Sequence, residues 1–136
     1  MSAPESASEI RRWLRYASED LRTAEILMSQ PGIPPRNACF YAQQAAEKAL
    51  KAVLIFLGRT VPRIHDLDAL RETLPDDWSV TREHPDLASL TDWAVHARYP
   101  SDEPGPLADD AIEAIAQARA VLASVIADLR LHGLTE

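Results

Sequence analysis

Glycine and cysteine are scarce in this chain, and the scarcity of cysteine excludes a fold held together by disulfides. Of 136 residues only four are glycine, and the single cysteine, Cys39, has no second cysteine for an intramolecular disulfide. No apolar run approaches the roughly 18 residues that a membrane-spanning helix needs, and no basic-then-apolar signal opens the sequence. We therefore expect a cytoplasmic protein without a membrane segment, in which Cys39 is a buried structural thiol among apolar neighbours.

Positive charge is also in short supply, with 21 acidic against 14 basic residues and a net charge of −7. Binding to a nucleic-acid backbone irrespective of sequence needs several cations in one stripe, so we expect no non-specific DNA binding. A local basic pocket remains compatible with this balance. His84 and His96 stand without a cysteine or glutamate at metal-ligand spacing, and no glycine-rich phosphate loop is present. The sequence thus predicts no metal and no cofactor.

What the sequence does have is apolar residues at intervals of three and four, the spacing of amphipathic helices. Residues 1–7 are small and polar, and we expect them to be disordered. Proline and glycine cluster in residues 100–106, which predicts an exposed loop. The fold class predicted is all-α: a single domain over residues 1–136, built as an antiparallel helical bundle. Three long helices are predicted at residues 8–30, 35–58 and 107–132, and two short ones at residues 66–74 and 85–98.

The second helix has two faces of different chemistry. One is rich in alanine, which permits close approach of a neighbouring helix, while Lys48 and Lys51 fall on the other. These lysines either contact a phosphate or belong to a solvated face on which Glu47 pairs with Lys51. Asp20 borders the apolar stripe of the first helix, so we expect it to be partly buried. A half-buried carboxylate needs a cation, which Lys48 or Arg98 could supply.

Four blocks together carry a family resemblance. They are WLRYASEDLRTAEIL in the first helix, QQAAEKALK at residues 43–51, His-Asp-Leu at residues 65–67, and Ala-Arg-Tyr-Pro at residues 97–100. In this order they resemble the HEPN domain from about residue 9 to residue 132, and the block at residues 43–51 is the most specific. The resemblance implies a helical bundle that forms homodimers. It also implies a minimal nucleotidyltransferase as partner, in a toxin–antitoxin or defence pair.

Many HEPN domains are metal-independent ribonucleases that use an arginine, four to six intervening residues and a histidine. Arg98 occupies the expected arginine position, but no histidine follows within residues 99–105. Arg59 and His65 have the required spacing, yet they lie between the second and third helices. By comparison with the family, catalysis is therefore not expected, and Arg98 and His65 are the weak catalytic candidates.

The resulting hypothesis is a non-catalytic HEPN protein that binds a nucleotide or RNA fragment, or a nucleotidyltransferase partner. Lys48, Lys51 and Arg98 are the predicted anion contacts. Asp20 would orient them, and Tyr99 would be available to stack on a base. Two alternatives stay open: a metal-independent endoribonuclease in which His65 or His96 moves the proton, and a plain protein-interaction module.

Overall fold

The computed structural model describes residues 3–135, apart from the side chains of residues 3–6 and 96–98. This described part of the chain contains helices and no strand, which confirms the all-α prediction. There are three long helices and three short ones: α1 (Ala3–Ser29), α2 (Pro35–Phe56), α3 (Leu67–Glu72), α4 (Ser79–Glu83), α5 (Ala88–Arg98) and α6 (Ala108–Leu131). Within the same residues, no helix is both long and apolar enough to cross a membrane.

Helix α2 begins and ends where its sequence predicted. Pro35 stands at the first helical position, where its missing N–H costs no hydrogen bond. At the other end Gly58 adopts a positive φ of 72°, a conformation that glycine takes without steric cost. The loop at residues 30–34 is short, so α1 and α2 run antiparallel.

The predicted start of the first helix at Ser8 is wrong. Helix α1 begins at Ala3, so Ser8 lies inside the helix rather than capping it, and residues 3–7 are helical rather than irregular. Pro4 stands at the second helical position, where the backbone tolerates proline. The prediction gave too little weight to this start signal.

Helix α2 forms the centre of the bundle and packs against α1, α3, α5 and α6. Its face toward α1 and α6 is built from alanines that are almost completely buried: Ala38, Ala42, Ala45, Ala46, Ala49 and Ala52. Small side chains let the helix axes approach closely, as the sequence predicted. Cys39 is fully buried on this helix, and its burial raises the pKa of the thiol to about 11. The expected structural role of Cys39 is confirmed.

The chain between α3 and α5 differs from the prediction of one helix over residues 85–98. Helix α4 was not predicted, and α5 begins at Ala88, three residues later than expected. Residues 84–87 are held in a non-helical conformation by α3. There, Arg71 Nη1 donates to the carbonyl of His84 at 3.0 Å, and the Leu87 backbone N–H donates to Asp68 Oδ1 at 2.8 Å. These long-range contacts overrode the local preference of Pro85 to start a helix.

Candidate functional site

A cleft of about 270 Å³ lies where the N-terminal half of α1 meets α2. We call it the Trp13 cleft and define it by its lining residues Glu9, Arg12, Trp13, Tyr16 and Lys48. Four of them belong to α1 and are three or four residues apart, so they share one face of that helix. The cleft therefore combines two aromatic rings, two cations and one carboxylate, and its volume is close to the lower end for ligand pockets, about 300 Å³.

Lys48 is fixed by an ion pair with Asp20. The Lys48 ammonium donates to Asp20 Oδ2, and the two side chains are only 25% and 17% exposed. This is one of the two partners that the sequence predicted for Asp20. The pair holds the ammonium beside the cleft, and two of its N–H groups remain for another acceptor.

Lys51 does not share the exposed face on which the sequence placed it. Its side chain is 8% exposed, that of Glu47 is 7% exposed, and Lys51 Nζ donates to Glu47 Oε2 at 3.0 Å. The predicted pairing is confirmed, but the predicted solvated face is wrong at this position, because α2 is enclosed by its neighbours. So little of the Lys51 side chain is accessible that an anion could reach its ammonium only after the neighbouring side chains moved, and its assignment as an anion contact stays a prediction.

Glu47 is the centre of a buried polar network. Its Oε1 accepts from Gln43 Nε2 at 3.0 Å and lies 3.0 Å from His65 Nδ1. Gln43 Nε2 also donates to the backbone carbonyl of His65 at 3.0 Å. Burial raises the pKa of the Glu47 carboxyl, but the hydrogen bonds from Gln43, Lys51 and His65 outweigh burial, and the pKa lies below its usual value of 4.5. The network attaches the loop before α3 to α2.

His65 and Arg59, which have the spacing of the ribonuclease motif, point to different partners. The His65 ring is 58% exposed, with Nδ1 turned toward Glu47. Arg59 donates to the backbone carbonyl of Thr73. The start of α3 is ordered by the neighbouring residue Asp66, whose Oδ1 accepts from the backbone N–H of Ala69 at 3.2 Å. His65 also helps to fix the start of α3, because its ring contacts Glu47 and its backbone carbonyl accepts from Gln43, both on α2.

Arg98 and Tyr99 lie at the C-terminal end of α5. The backbone of Arg98 closes the helix, but its side chain lies outside the described residues, as does that of His96. Tyr99 is 66% exposed. Tyr99 and Lys51 are not among the residues that line the Trp13 cleft, whereas the structure pairs Lys48, which does line it, with Asp20.

The sequence indicated only part of this cleft. Trp13 was not singled out as a site residue, and its partly buried side chain packs against the hydrophobic core. Arg12 and Tyr16 were not singled out, although their spacing from Glu9 and Trp13 places all four on a face beside the apolar stripe. The spacing of these residues along α1 could not predict that Lys48, on α2, lies opposite them.

The described residues contain no group of histidine, cysteine and carboxylate side chains that could hold a metal ion. His84, one of the histidines considered above, instead has Nε2 at 2.9 Å from Ser124 Oγ. Its burial lowers the pKa of the imidazole, with the nearby Arg71 acting in the same direction.

The fold and the cleft define a small helical-bundle protein with a cleft of polar and aromatic side chains on its first two helices. The HEPN domain family matches residues 10–129, and the chain belongs to this family, as its sequence motifs predicted. The crystal structure of TT1696 from Thermus thermophilus is similar, with 34% identity and a TM-score of 0.74 over 88% of this chain and 98% of that one. ST0689, an archaeal HEPN homologue, has 28% identity and a TM-score of 0.61 over 87% and 95%. Among curated proteins, none matches this chain.

Proposed function

We propose that this chain is a non-catalytic HEPN protein that binds a nucleotide or a short RNA segment in the Trp13 cleft. The observation that carries the proposal is the combination of aromatic and cationic side chains lining one ligand-sized space. Trp13 and Tyr16 offer ring surfaces on which a base stacks, and stacking contributes about 1–3 kcal/mol per base whatever the base. Arg12 and Lys48 supply the charge that a phosphate requires.

The two cations differ in how they are held. Arg12 is exposed and forms no ion pair or hydrogen bond within the part of the chain that the structure describes, so its guanidinium is available for a bidentate phosphate contact. Lys48 is positioned by Asp20 and offers its remaining N–H groups. Glu9 adds a carboxylate that can accept from a ribose hydroxyl or a base amino group. The site therefore suits one nucleotide better than a run of phosphates.

The positions of the histidines support binding without cleavage. General acid–base catalysis needs a proton-transfer group within about 3.2 Å of the reacting atom, or one water away. Among the side chains that the structure describes, which leave out that of His96, no histidine lines the Trp13 cleft. The His65, His84 and His132 rings are instead bound to Glu47, Ser124 and the Asp128 carbonyl, respectively.

Isothermal calorimetry with the four ribonucleoside monophosphates tests the proposed site. We expect binding, and we expect Arg12→Ala to weaken it about tenfold, since a charged hydrogen bond contributes at least about 1.5 kcal/mol. Tyr16→Ala should weaken it by a similar factor through the loss of stacking. Both residues are exposed, so neither variant should unfold the protein.

The matched control is Arg22→Ala, an exposed arginine of α1 that lines neither this cleft nor the other one described below. It removes the same charge from the same helix and should leave affinity unchanged within about twofold. An equal loss in Arg12→Ala and Arg22→Ala would mean that binding is diffuse and would refute the Trp13 cleft as the site.

A single observation favours a second candidate function, the metal-independent ribonuclease. Glu47 orients His65 through Nδ1 and leaves the other ring nitrogen on the exposed side, an arrangement that carboxylate–histidine pairs use in acid–base catalysis. Glu47 also binds Lys51, so less of its charge is available to stabilise an imidazolium. This competing pair, and the lack of a histidine within residues 99–105 after Arg98, make the ribonuclease the weaker proposal.

The homodimer and the nucleotidyltransferase partner that the family resemblance implies remain proposals. Large apolar side chains on α5, on α6 and in the segment between them are exposed, and in the proposed dimer a second copy would cover them: Val95, Tyr99, Leu107 and Ile112. Light scattering that returned the mass of one chain, 15.1 kDa, would contradict the dimer.

A further inference from the structure

A second cleft, of about 280 Å³, lies on the other flank of α1, where this helix meets the C-terminal end of α6. We call it the arginine cleft and define it by three cations, Arg11, Arg15 and Arg130, around a floor that includes Leu14 and Ile126. It shares no lining residue with the Trp13 cleft. Arg11, Leu14 and Arg15 are three or four residues apart, as are Ile126 and Arg130, so each helix presents one face to the cleft.

The C-terminal segment closes one side of the arginine cleft. Gly133 has a φ of 110° and turns the chain back at the end of α6, where the Leu134 N–H donates to the carbonyl of Leu129 at 2.8 Å. Arg11 Nη1 then donates to the backbone carbonyl of Thr135 at 2.8 Å. This bond fixes the Arg11 side chain at the wall of the cleft and uses only one of its five N–H groups.

The charge of the arginine cleft is opposite to that of the whole protein. The chain carries a net charge of −7, yet the lining of this cleft, within residues 3–135 that the structure describes, includes no acidic residue. The carboxylate of Glu19 lies 3.8 Å from Arg15 Nε, and both side chains are more than 60% exposed. A pair so exposed is weak, so a ligand can replace it.

The chemistry of these groups defines a ligand. Guanidinium groups bind phosphate through paired N–H donors, and those of Arg11 and Arg15 match the two negative charges of a phosphomonoester better than the single charge of a carboxylate. The apolar floor of Leu14 and Ile126 suits the organic part of such a molecule. We propose that the arginine cleft is a binding site for a phosphomonoester carried on a small apolar or planar body. The proposed site shares no lining residue with the Trp13 cleft, and the two adjoin where the Arg15 guanidinium lies over the Tyr16 ring, 5.6 Å from its centroid.

Phenyl phosphate is a suitable probe because it joins a phosphomonoester to a flat apolar ring. In calorimetry with the intact chain, we expect it to bind more tightly than inorganic phosphate, which lacks the ring. Arg11→Ala and Arg15→Ala should each weaken binding about tenfold, and added salt should weaken it further. Arg22→Ala, which removes an exposed arginine of α1 that lines neither cleft, serves as the matched control and should leave the affinity unchanged.

Thermal unfolding of each variant shows whether the fold is retained, and Arg15→Gln removes the charge while keeping much of the side chain if Arg15→Ala proves unstable.

A tetraribonucleotide with a 5′-phosphate distinguishes the two sources of a phosphomonoester, which are a small molecule and the end of an RNA. If it binds more tightly than phenyl phosphate and is weakened by Arg11→Ala, the site is confirmed and its ligand is an RNA end. Absence of phenyl phosphate binding, or binding that is insensitive to both Arg11→Ala and Arg15→Ala, would overturn the proposal.

Discussion

Replacing Glu47 by alanine is expected to destabilise the protein by about 3–5 kcal/mol, the range found when one partner of a buried ion pair is removed. The Lys51 ammonium would stay in a region where its side chain is 8% exposed, without the carboxylate that it now binds at 3.0 Å. Gln43 and His65 would lose the same acceptor. Urea unfolding at neutral pH, followed by circular dichroism, measures this change.

The double variant Glu47→Leu/Lys51→Met is the control for that experiment. Exchanging a whole buried ion pair for apolar side chains of similar volume often leaves stability unchanged or raises it. We therefore expect the double variant to recover most of the stability that Glu47→Ala loses. A loss below about 1 kcal/mol in Glu47→Ala would instead have the size of an exposed pair and contradict the burial described above.

The same network makes the free energy of unfolding of the wild-type protein depend on pH, and the pKa of Glu47 gives the sign of this dependence. The pKa of Glu47 in the folded protein lies below the value of 4.5 that applies to the unfolded chain. Its contribution to stability is therefore complete above about pH 4.5 and is lost as the pH falls through the folded pKa. Wild type should lose more stability than Glu47→Gln on acidification from neutral pH to about pH 3.

Replacing Asp128 by alanine is expected to cost about 2–4 kcal/mol, because one buried carboxylate completes the start of α4. Asp128 Oδ1 accepts from the backbone N–H of Ser79 at 3.0 Å and from its hydroxyl at 2.7 Å, while Oδ2 accepts from the backbone N–H of Val80 at 2.9 Å. Alanine would leave these donors without a partner. Urea unfolding measures the loss, and amide exchange at Ser79 and Val80 localises it.

Asp77→Ala is the matched control, since Asp77 is an exposed aspartate two residues before α4. It should change stability by less than about 0.5 kcal/mol. Equal effects of the two substitutions would show that the loss comes from general charge removal, and would contradict the cap.

Helix α4 shows why part of the fold was beyond sequence reasoning. A five-residue helix has too few apolar positions to produce a period, and its cap comes from Asp128, 49 residues beyond Ser79. Helix α2, in contrast, carries its own signals in Pro35, Gly58 and the alanine-rich face, and those were sufficient. Local patterns predicted the elements that are stabilised locally or by a long apolar stripe, and failed where distant side chains supply the hydrogen bonds.

In the candidate site, too, some features were predictable from the sequence and others were not. The partly buried position of Asp20 and its pairing with a cation such as Lys48 followed from the apolar stripe of α1. Lys51 was placed wrongly because helical spacing gives the direction of a side chain but not which elements cover it, and α2 has neighbours on most sides. The Trp13 cleft was missed because its fifth residue comes from another helix.

The measurement that tests the proposed function most directly is incubation of an end-labelled RNA with the purified protein in EDTA, analysed on native and denaturing gels in parallel. We expect the RNA to be retarded on the native gel, less so with Arg12→Ala, and to run at full length on the denaturing gel. His65→Ala should behave like wild type. Shortened RNA with wild type and full-length RNA with His65→Ala would establish a metal-independent ribonuclease and contradict a binding protein that does not cleave.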